Sequence, residues 1–132
     1  MSKILFLHSG DNWIRGSELA LSRLLNGLRS TDISCFLYCD QRIFAEHSKE
    51  FCENDPVCAV LPEIMLHESK YNLNIVSWLK AYSRIKAFVR NNQIDLIYCN
   101  GARTAQLGYY VARSCGLPQI VHVHSAHTRR YT

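Results

Sequence analysis

Several signatures that would settle a function class at a glance are missing from this 132-residue chain. Its six cysteines, Cys35, Cys39, Cys52, Cys58, Cys99 and Cys115, include no C-x-x-C pair. That argues against a zinc ribbon and a thioredoxin-type redox motif, both of which need close spacing. Secreted disulfide scaffolds are shorter and denser in cysteine, so these thiols read as small buried hydrophobes in a reducing, cytosolic setting. No apolar run approaches the about 18 residues that a membrane helix requires. The short apolar run after Lys3 is also too brief for a signal-peptide core. Neither G-x-G-x-x-G nor G-x-x-x-x-G-K-[ST] occurs, so neither the dinucleotide fingerprint nor a P-loop is supported. Repeats and low-complexity tracts are absent too. Charge excess is small: 15 Lys and Arg against 11 Asp and Glu, a net +4 with His neutral. Such a balance suits an anionic ligand or peripheral contact with an anionic membrane, is common in plain soluble domains, and gives no reason to expect a nucleic-acid partner.

What is present is ordinary globular material, 48% hydrophobic and 20% charged, in a length that makes one domain with its own core. Ile4-Leu5-Phe6-Leu7 reads as a buried strand, 8–16 as a polar loop, and Ser17-Glu18 as the opening of a helix. Ala20, Leu21, Leu24, Leu25 and Leu28 line one face of that helix. Residues 33–39 are apolar on both sides, as a parallel strand covered by helices requires. Asp40 is placed to cap a short helix reaching Phe51. Residues 57–61 form a third strand, and 63–71 have no clean period. From Asn72 to Asn92 one helical stripe carries Ile75, Val76, Leu79, Tyr82, Ile85, Phe88 and Val89, with Lys80, Arg84, Lys86 and Arg90 around it. Residues 95–99 make a fourth strand, 102–115 a helix stopped by Gly116-Leu117-Pro118, and 119–124 a fifth strand.

Strands alternating with helices predict an α/β fold, a doubly wound parallel sheet of Rossmann-like type in three αβα layers. Right-handed crossovers favour the strand order 3-2-1-4-5. Its switch point lies between strands one and four, and ligands bind outside the carboxyl ends of strands at such a crevice. Three segments converge there: His8 to Gly16, Asn100 to Arg103, and His124 to His127.

Each segment offers chemistry beside a plainer explanation. In Arg15-Gly16-Ser17-Glu18, a helix N-terminus, a glycine that permits close approach and a hydroxyl suit a phosphate, with His8 and Gly10 lining the cleft. A simple cap explains the same residues, and Glu18 repels a phosphate unless turned aside. Asn100-Gly101-Ala102-Arg103 is a second turn, in which capping accounts for Asn100 and a surface role for Arg103. His122 and His124 share one strand face. His124, at the carboxyl end, is the better candidate for a proton or hydroxyl contact, whereas His122 is expected to be a hydrogen-bonded core residue. H-x-H-x-x-H without a supporting carboxylate is a weak metal pattern, and no metal is expected.

In order along the chain, Lys3-Ile4-Leu5-Phe6-Leu7-His8, Arg15 to Leu25, Asp95 to Gly101, Gly116-Leu117-Pro118 and Val121 to Ser125 resemble the N-terminal domain of the family 4 (group 1) retaining glycosyltransferases, which adopt the GT-B fold. Residues 41–71 contribute little. The resemblance implies an acceptor-side domain over 1–132, with a nucleotide sugar as donor and a hydroxyl acceptor as partners, and no further cofactor. It implies that Arg15, Gly16, Ser17 and Glu18 form the loop near the donor phosphates, with Arg15 where the family usually has glycine. His124 corresponds to the strand-end histidine near the transferred sugar and is the candidate catalytic residue, with Ser125 beside it in the cleft. Asn100, Gly101 and Arg103 correspond to the acceptor-side turn. The donor-binding second domain with its E-x7-E segment has no counterpart here, so these residues alone are expected to be inactive. A cytoplasmic enzyme, peripheral at the inner membrane face, is the implied setting. The competing class is a non-enzymatic flavodoxin-like or receiver-like interaction module of the same topology. The receiver version lacks both the acidic cluster after the first strand and an aspartate after the third.

Overall fold

The computed structural model describes residues 2–10, 14–53, 56–59, 61 and 71–124. In chain order the elements are β1 (Lys3–His8), α1 (Gly16–Leu28), β2 (Ser34–Cys39), α2 (Arg42–Ser48), β3 (Val57–Cys58), α3 (Tyr71–Asn92), β4 (Leu96–Asn100), α4 (Ala105–Cys115) and β5 (Gln119–His122). Short 3-10 turns follow α2 at Lys49–Phe51 and precede α4 at Ala102–Thr104. All four strand pairings are parallel, in the order β3-β2-β1-β4-β5. The doubly wound α/β sheet is therefore present in the expected order, with β1 at its centre.

Period-2 alternation divides the central strands between two cores. Phe6, Cys35, Leu37 and Cys39 face α1 and α2, where they meet Leu21, Leu25, Phe44 and Ala45. Leu5, Leu7, Phe36, Tyr38, Ile97 and Cys99 face α3 and α4, against Trp78, Ala81, Ile85, Val89, Leu107 and Val111. Each fully buried large side chain of this kind contributes about 1.5–3 kcal/mol, so both faces hold the sheet. Gly108 lets α4 approach closely: a Cβ there would collide with Cys99 Sγ and lie 3.1 Å from Gln119 Nε2.

Several local expectations are corrected. α1 begins at Gly16 with Arg15 as its N-cap, so Ser17 does not cap it. α2 has Gln41, not Asp40, at its cap and is α-helical only to Ser48 before the 3-10 turn. The first turn after β4 is 3-10, with Gly101 rather than Asn100 at its cap. β3 is two residues long rather than five. As an edge strand it has one neighbour, and short edges limit unwanted pairing. β5 ends at His122 rather than His124. Gly116 does stop α4 in the left-handed region, at φ 69°, and Leu117 N–H donates to the Ala112 carbonyl over 2.8 Å. The unassigned stretch 63–70 and residues Ser125 and His127 lie outside the described residues, as do 11–13 of the first loop.

Cys35, Cys39 and Cys99 are buried, Cys52 and Cys115 partly so, and Cys58 is exposed; all six are free thiols. Burial pushes Cys35 up to about 11, and Cys39 and Cys52 up to about 12, so these are inert packing groups. Among the described residues no helix is long and apolar enough to cross a membrane.

Candidate functional site

Parallel register brings the ends of the central strands level. His8 pairs with Cys39 on one side and Asn100 on the other, and Asn100 pairs with His122. Above this row, at the carboxyl end of the sheet, lies an open cavity of about 330 Å³. Ser9 and Gly10 border it from the β1 loop. Arg15, Ser17 and Glu18 border it from the start of α1, Gly101, Ala102 and Arg103 from the turn after β4, and Val123 and His124 from the segment after β5. The described parts of the three segments named from the sequence, with His124 alone from the third, thus meet at one crevice. His8 and Asn100 sit beneath it, 1% and 4% exposed. Gly16 stands at the α1 start, and among the described residues nothing lies within 4 Å of a Cβ placed on it.

The close approach is instead at Gly10. A Cβ on Gly10 would lie 2.8 Å from Glu18 Oε1 and 3.0 Å from both Gln41 Oε1 and His8 Nε2. The loop is pinned in this position by Asp40, which accepts from Ser9 Oγ at 2.7 Å and from Gly10 N–H at 3.0 Å. Asp40 is therefore a loop anchor and not a helix cap.

Glu18 is turned inward and 2% exposed. Its Oε2 accepts from the Ser17 hydroxyl at 2.6 Å and from Arg15 N–H at 3.3 Å, and its Oε1 lies 3.7 Å from His8 Nε2. Burial alone raises its pKa. The Ser17 hydroxyl, the backbone N–H groups and His8 outweigh that and hold the carboxyl below its ordinary value. Its charge is thus partly absorbed by the protein instead of being offered to a phosphate.

His8 sits between Gln41 Oε1, 3.0 Å from Nε2, and Asn100 Nδ2, 3.0 Å from Nδ1. Its ring packs on Phe44 with centroids 4.9 Å apart. Burial lowers its pKa, against the raising effect of Gln41, Glu18 and Asp40, so His8 is a neutral interior imidazole. His124 Nε2 lies 2.7 Å from Asn100 Oδ1. Burial, with neighbouring His122 and His8, also lowers the pKa of His124, although it is the more exposed ring.

His122 departs from expectation. It is exposed, with Nδ1 2.9 Å from the Tyr98 hydroxyl and its ring centroid 4.0 Å from that of His124. Alternation correctly predicts the face it shares with Tyr98 and Asn100. It does not reveal that this face is uncovered at the sheet edge. Gln41 and Asp40 were not among the residues expected at the site. The signal was available in the strand order, since the end of β2 lies beside the β1 loop. Arg15 and Arg103 are both exposed at the cavity and supply positive charge with the α1 N-terminus. Among the described residues no group of three His, Cys, Asp or Glu is arranged to hold a metal.

The chain matches no protein-family model, and no curated protein matches it in sequence. Its fold, however, is close to that of several solved structures. Acinetobacter baumannii MurG superposes with a TM-score of 0.67 at 15% identity, over 93% of this chain and 35% of that one. Anabaena Alr3699/HepE, solved in complex with UDP and glucose, superposes with a TM-score of 0.64 at 19% identity, over 100% of this chain and 32% of that one. Both are GT-B glycosyltransferases, MurG of family 28 rather than family 4. The fold is an α/β Rossmann-like fold that matches a domain of each of these neighbours. The chain spans about a third of the length of those two proteins. A third structure, the C-terminal domain (residues 83–215) of PF1911 hydrogenase from Pyrococcus furiosus, has a TM-score of 0.62 at 10% identity, over 92% of this chain and 91% of that one. The topology therefore also occurs outside sugar transfer, and likeness at these identities concerns fold alone.

Proposed function

We propose that this chain is the acceptor-side domain of a nucleotide-sugar-dependent glycosyltransferase, most similar in its motifs to the retaining enzymes of family 4. The observation that carries the reading is the carboxyl-end cavity, in which three separate segments meet at the switch point of the sheet. Its lining includes Arg15, Arg103, Ser17 and the start of α1, suited to an anionic group, together with His124, suited to a hydroxyl. HepE with UDP and glucose supports a nucleotide sugar as donor. A second Rossmann-like domain would close over this cavity and hold most of the donor. The 132 residues alone are then a binding half rather than a working transferase, in a cytoplasmic protein that reaches the membrane only peripherally.

Chemistry in such a half-site is positional. Fixed N–H dipoles and guanidinium groups stabilise charge developing on a departing diphosphate, and an imidazole holds the sugar or acceptor hydroxyl in line. No step calls for a metal held by this chain.

The reading is tested by NMR titration of the 15N-labelled chain with UDP-glucose, GDP-mannose and simple methyl glycosides. Weak binding, on the order of millimolar, is expected to shift Gly10, Ser17, Gly101 and His124. Silence at all four across the panel, or shifts confined to a second cleft lined by Arg42, Glu46, Lys49 and Cys58, counts against it. The second reading is an interaction module of flavodoxin-like topology, since the same fold occurs in a domain of a hydrogenase as well. Flavin absorbance in the purified protein, or flavin shifts at the same four residues, would move the assignment there.

A further inference from the structure

His8, Asn100 and His124 form one hydrogen-bonded line beneath and beside the cavity, and the place of each proton on it follows from a single group. The Ser17 carbonyl can only accept, and it lies 3.4 Å from Asn100 Nδ2. The amide nitrogen of Asn100 therefore faces α1. That same nitrogen is 3.0 Å from His8 Nδ1, so Nδ1 accepts and carries no proton. His8 then bears its proton on Nε2 and donates it to Gln41 Oε1 at 3.0 Å, with Glu18 Oε1 nearby at 3.7 Å. With its nitrogen committed, Asn100 turns Oδ1 toward His124 Nε2, 2.7 Å away. An amide oxygen cannot donate, so His124 carries its proton on Nε2.

We infer that Asn100 is a positioning residue, oriented by Ser17 and His8, that fixes His124 as its Nε2–H tautomer and leaves Nδ1 to accept a hydrogen bond from a ligand hydroxyl. The identity of the ligand rests on the sugar-site reading above; the tautomer rests on geometry alone. A phosphate offers acceptor oxygens and meets a bare ring nitrogen poorly, whereas a sugar or acceptor hydroxyl is a donor and matches it. The crevice is thereby divided: Arg15, Arg103 and the start of α1 at its anionic end, and His124 at its hydroxyl end. The neutral ring is favoured by burial and by neighbouring His122 and His8, against the carboxylate of Glu18. Asn100 ends β4 beside β1, 4% exposed, so its own position and its contact with His8 are set by the sheet.

Two-bond 1H–15N correlation spectra of the histidine rings test this on the unaltered chain at pH 7.5. Both His8 and His124 are expected as Nε2–H tautomers; an Nδ1–H or doubly protonated His124 overturns the proposal. Asn100→Asp supplies a stronger test, because a carboxylate accepts from both rings. His8 is then expected to take a proton on Nδ1, and both histidines to titrate at higher pH. A variant that folds with both rings unchanged would show that Asn100 is mere packing. Adding methyl glucoside and, separately, inorganic phosphate completes the experiment, with the His124 Nδ1 resonance moving for the glycoside and not for phosphate. A phosphate response at Nδ1 overturns the hydroxyl assignment. Expected tautomers with no response to either probe would refute the sugar-site reading and leave the role of Asn100 standing.

Discussion

Asn100 has a histidine on each side, and the two imidazoles live in different surroundings. His8 is 1% exposed, walled by Phe44, Gln41, Glu18 and the Gly10 backbone. His124 stands past the end of β5 with the cavity on one side and the exposed ring of His122 on the other. The difference is one of sheet position. β1 has a strand on each side and helices over both faces. Among the described residues β5 has β4 alone as a neighbour, and its Ile120 and Val121 are 46% and 38% exposed. One histidine therefore belongs to the stability of the fold and the other is available to a ligand, although both share one amide.

Removing the interior ring should have the largest effect. His8→Ala leaves a cavity and strips a partner from Asn100 and Gln41 in the same step. A loss of about 3–5 kcal/mol is expected from those two terms together. Urea unfolding measures it. A loss below about 1 kcal/mol would mean that the β1 end is far more plastic than its burial implies.

Much of this contrast was legible beforehand and some was not. The apolar runs Ile4 to Leu7 and 95–99 form strands where expected, and Leu21 and Leu25 of the α1 stripe are buried, although Ala20 of that stripe is exposed. That the loop after β1, the turn after β4 and His124 would open onto one crevice followed from strand order, although Gly10 and Gly101 line it where Gly16 and Asn100 were expected. Three things did not follow. Asp40 and Gln41 looked like the entry to a helix, yet their side chains serve the neighbouring β1 loop and His8. Asn100 looked like a cap; being on a central strand, its amide is used laterally between two rings. His122 looked buried because alternation reports which side a residue faces, not whether anything covers that side.

The seal over His8 can be forced open from the loop. Gly10→Ala pushes a methyl group to within 2.8 Å of Glu18 Oε1 and 3.0 Å of both Gln41 Oε1 and His8 Nε2. These are side-chain ends, but buried ones with little room to retreat. A destabilisation of about 1–3 kcal/mol is expected, with a rise in hydrogen exchange at Ser9 and Gly10. On the open side, Gly101 sits at φ 104°, ψ 162°, and among the described residues nothing lies within 4 Å of a Cβ placed on it. Gly101→Ala thus tests backbone strain without a clash, at about 1–2 kcal/mol. If the two variants cost the same and exchange rises equally at both loops, the contrast between a packed and an open end fails.

Acid should act through the interior ring. The folded-state pKa of His8 lies below 6.5, so below that pH the unfolded chain binds the proton that the folded chain refuses. Stability is then complete above about pH 6.5 and falls as the pH drops toward the folded value. Protonating His8 would also set an N–H on Nδ1 against the Asn100 amide nitrogen. Glu18 adds loss in the same direction below its own ordinary value of 4.5, since its folded pKa is lowered as well. Thermal unfolding between pH 8 and 5 checks the first part. His8→Gln should flatten that segment, whereas His124→Gln should flatten it much less, because His124 is mostly solvated. Equal flattening by both would place the two rings in equivalent surroundings.

The smallest effect is expected at the outermost ring, and it sharpens the comparison most cheaply. His122 meets the Tyr98 hydroxyl at 2.9 Å in an exposed position, and water replaces that bond at once. Tyr98 keeps its ring contact with Phe6, centroids 5.0 Å apart, so no buried group is orphaned. His122→Ala should therefore change stability by about 0.5 kcal/mol or less in the same urea experiment. It should raise the pH at which His124 titrates, because a neighbour that lowers the His124 pKa is removed. Stability unchanged with a shifted His124 titration identifies His122 as a tuning neighbour of the ligand-facing ring. A loss above about 1.5 kcal/mol would mean that β5 is covered in solution, and that the open end of the site is closed by a surface these residues would then have to be burying.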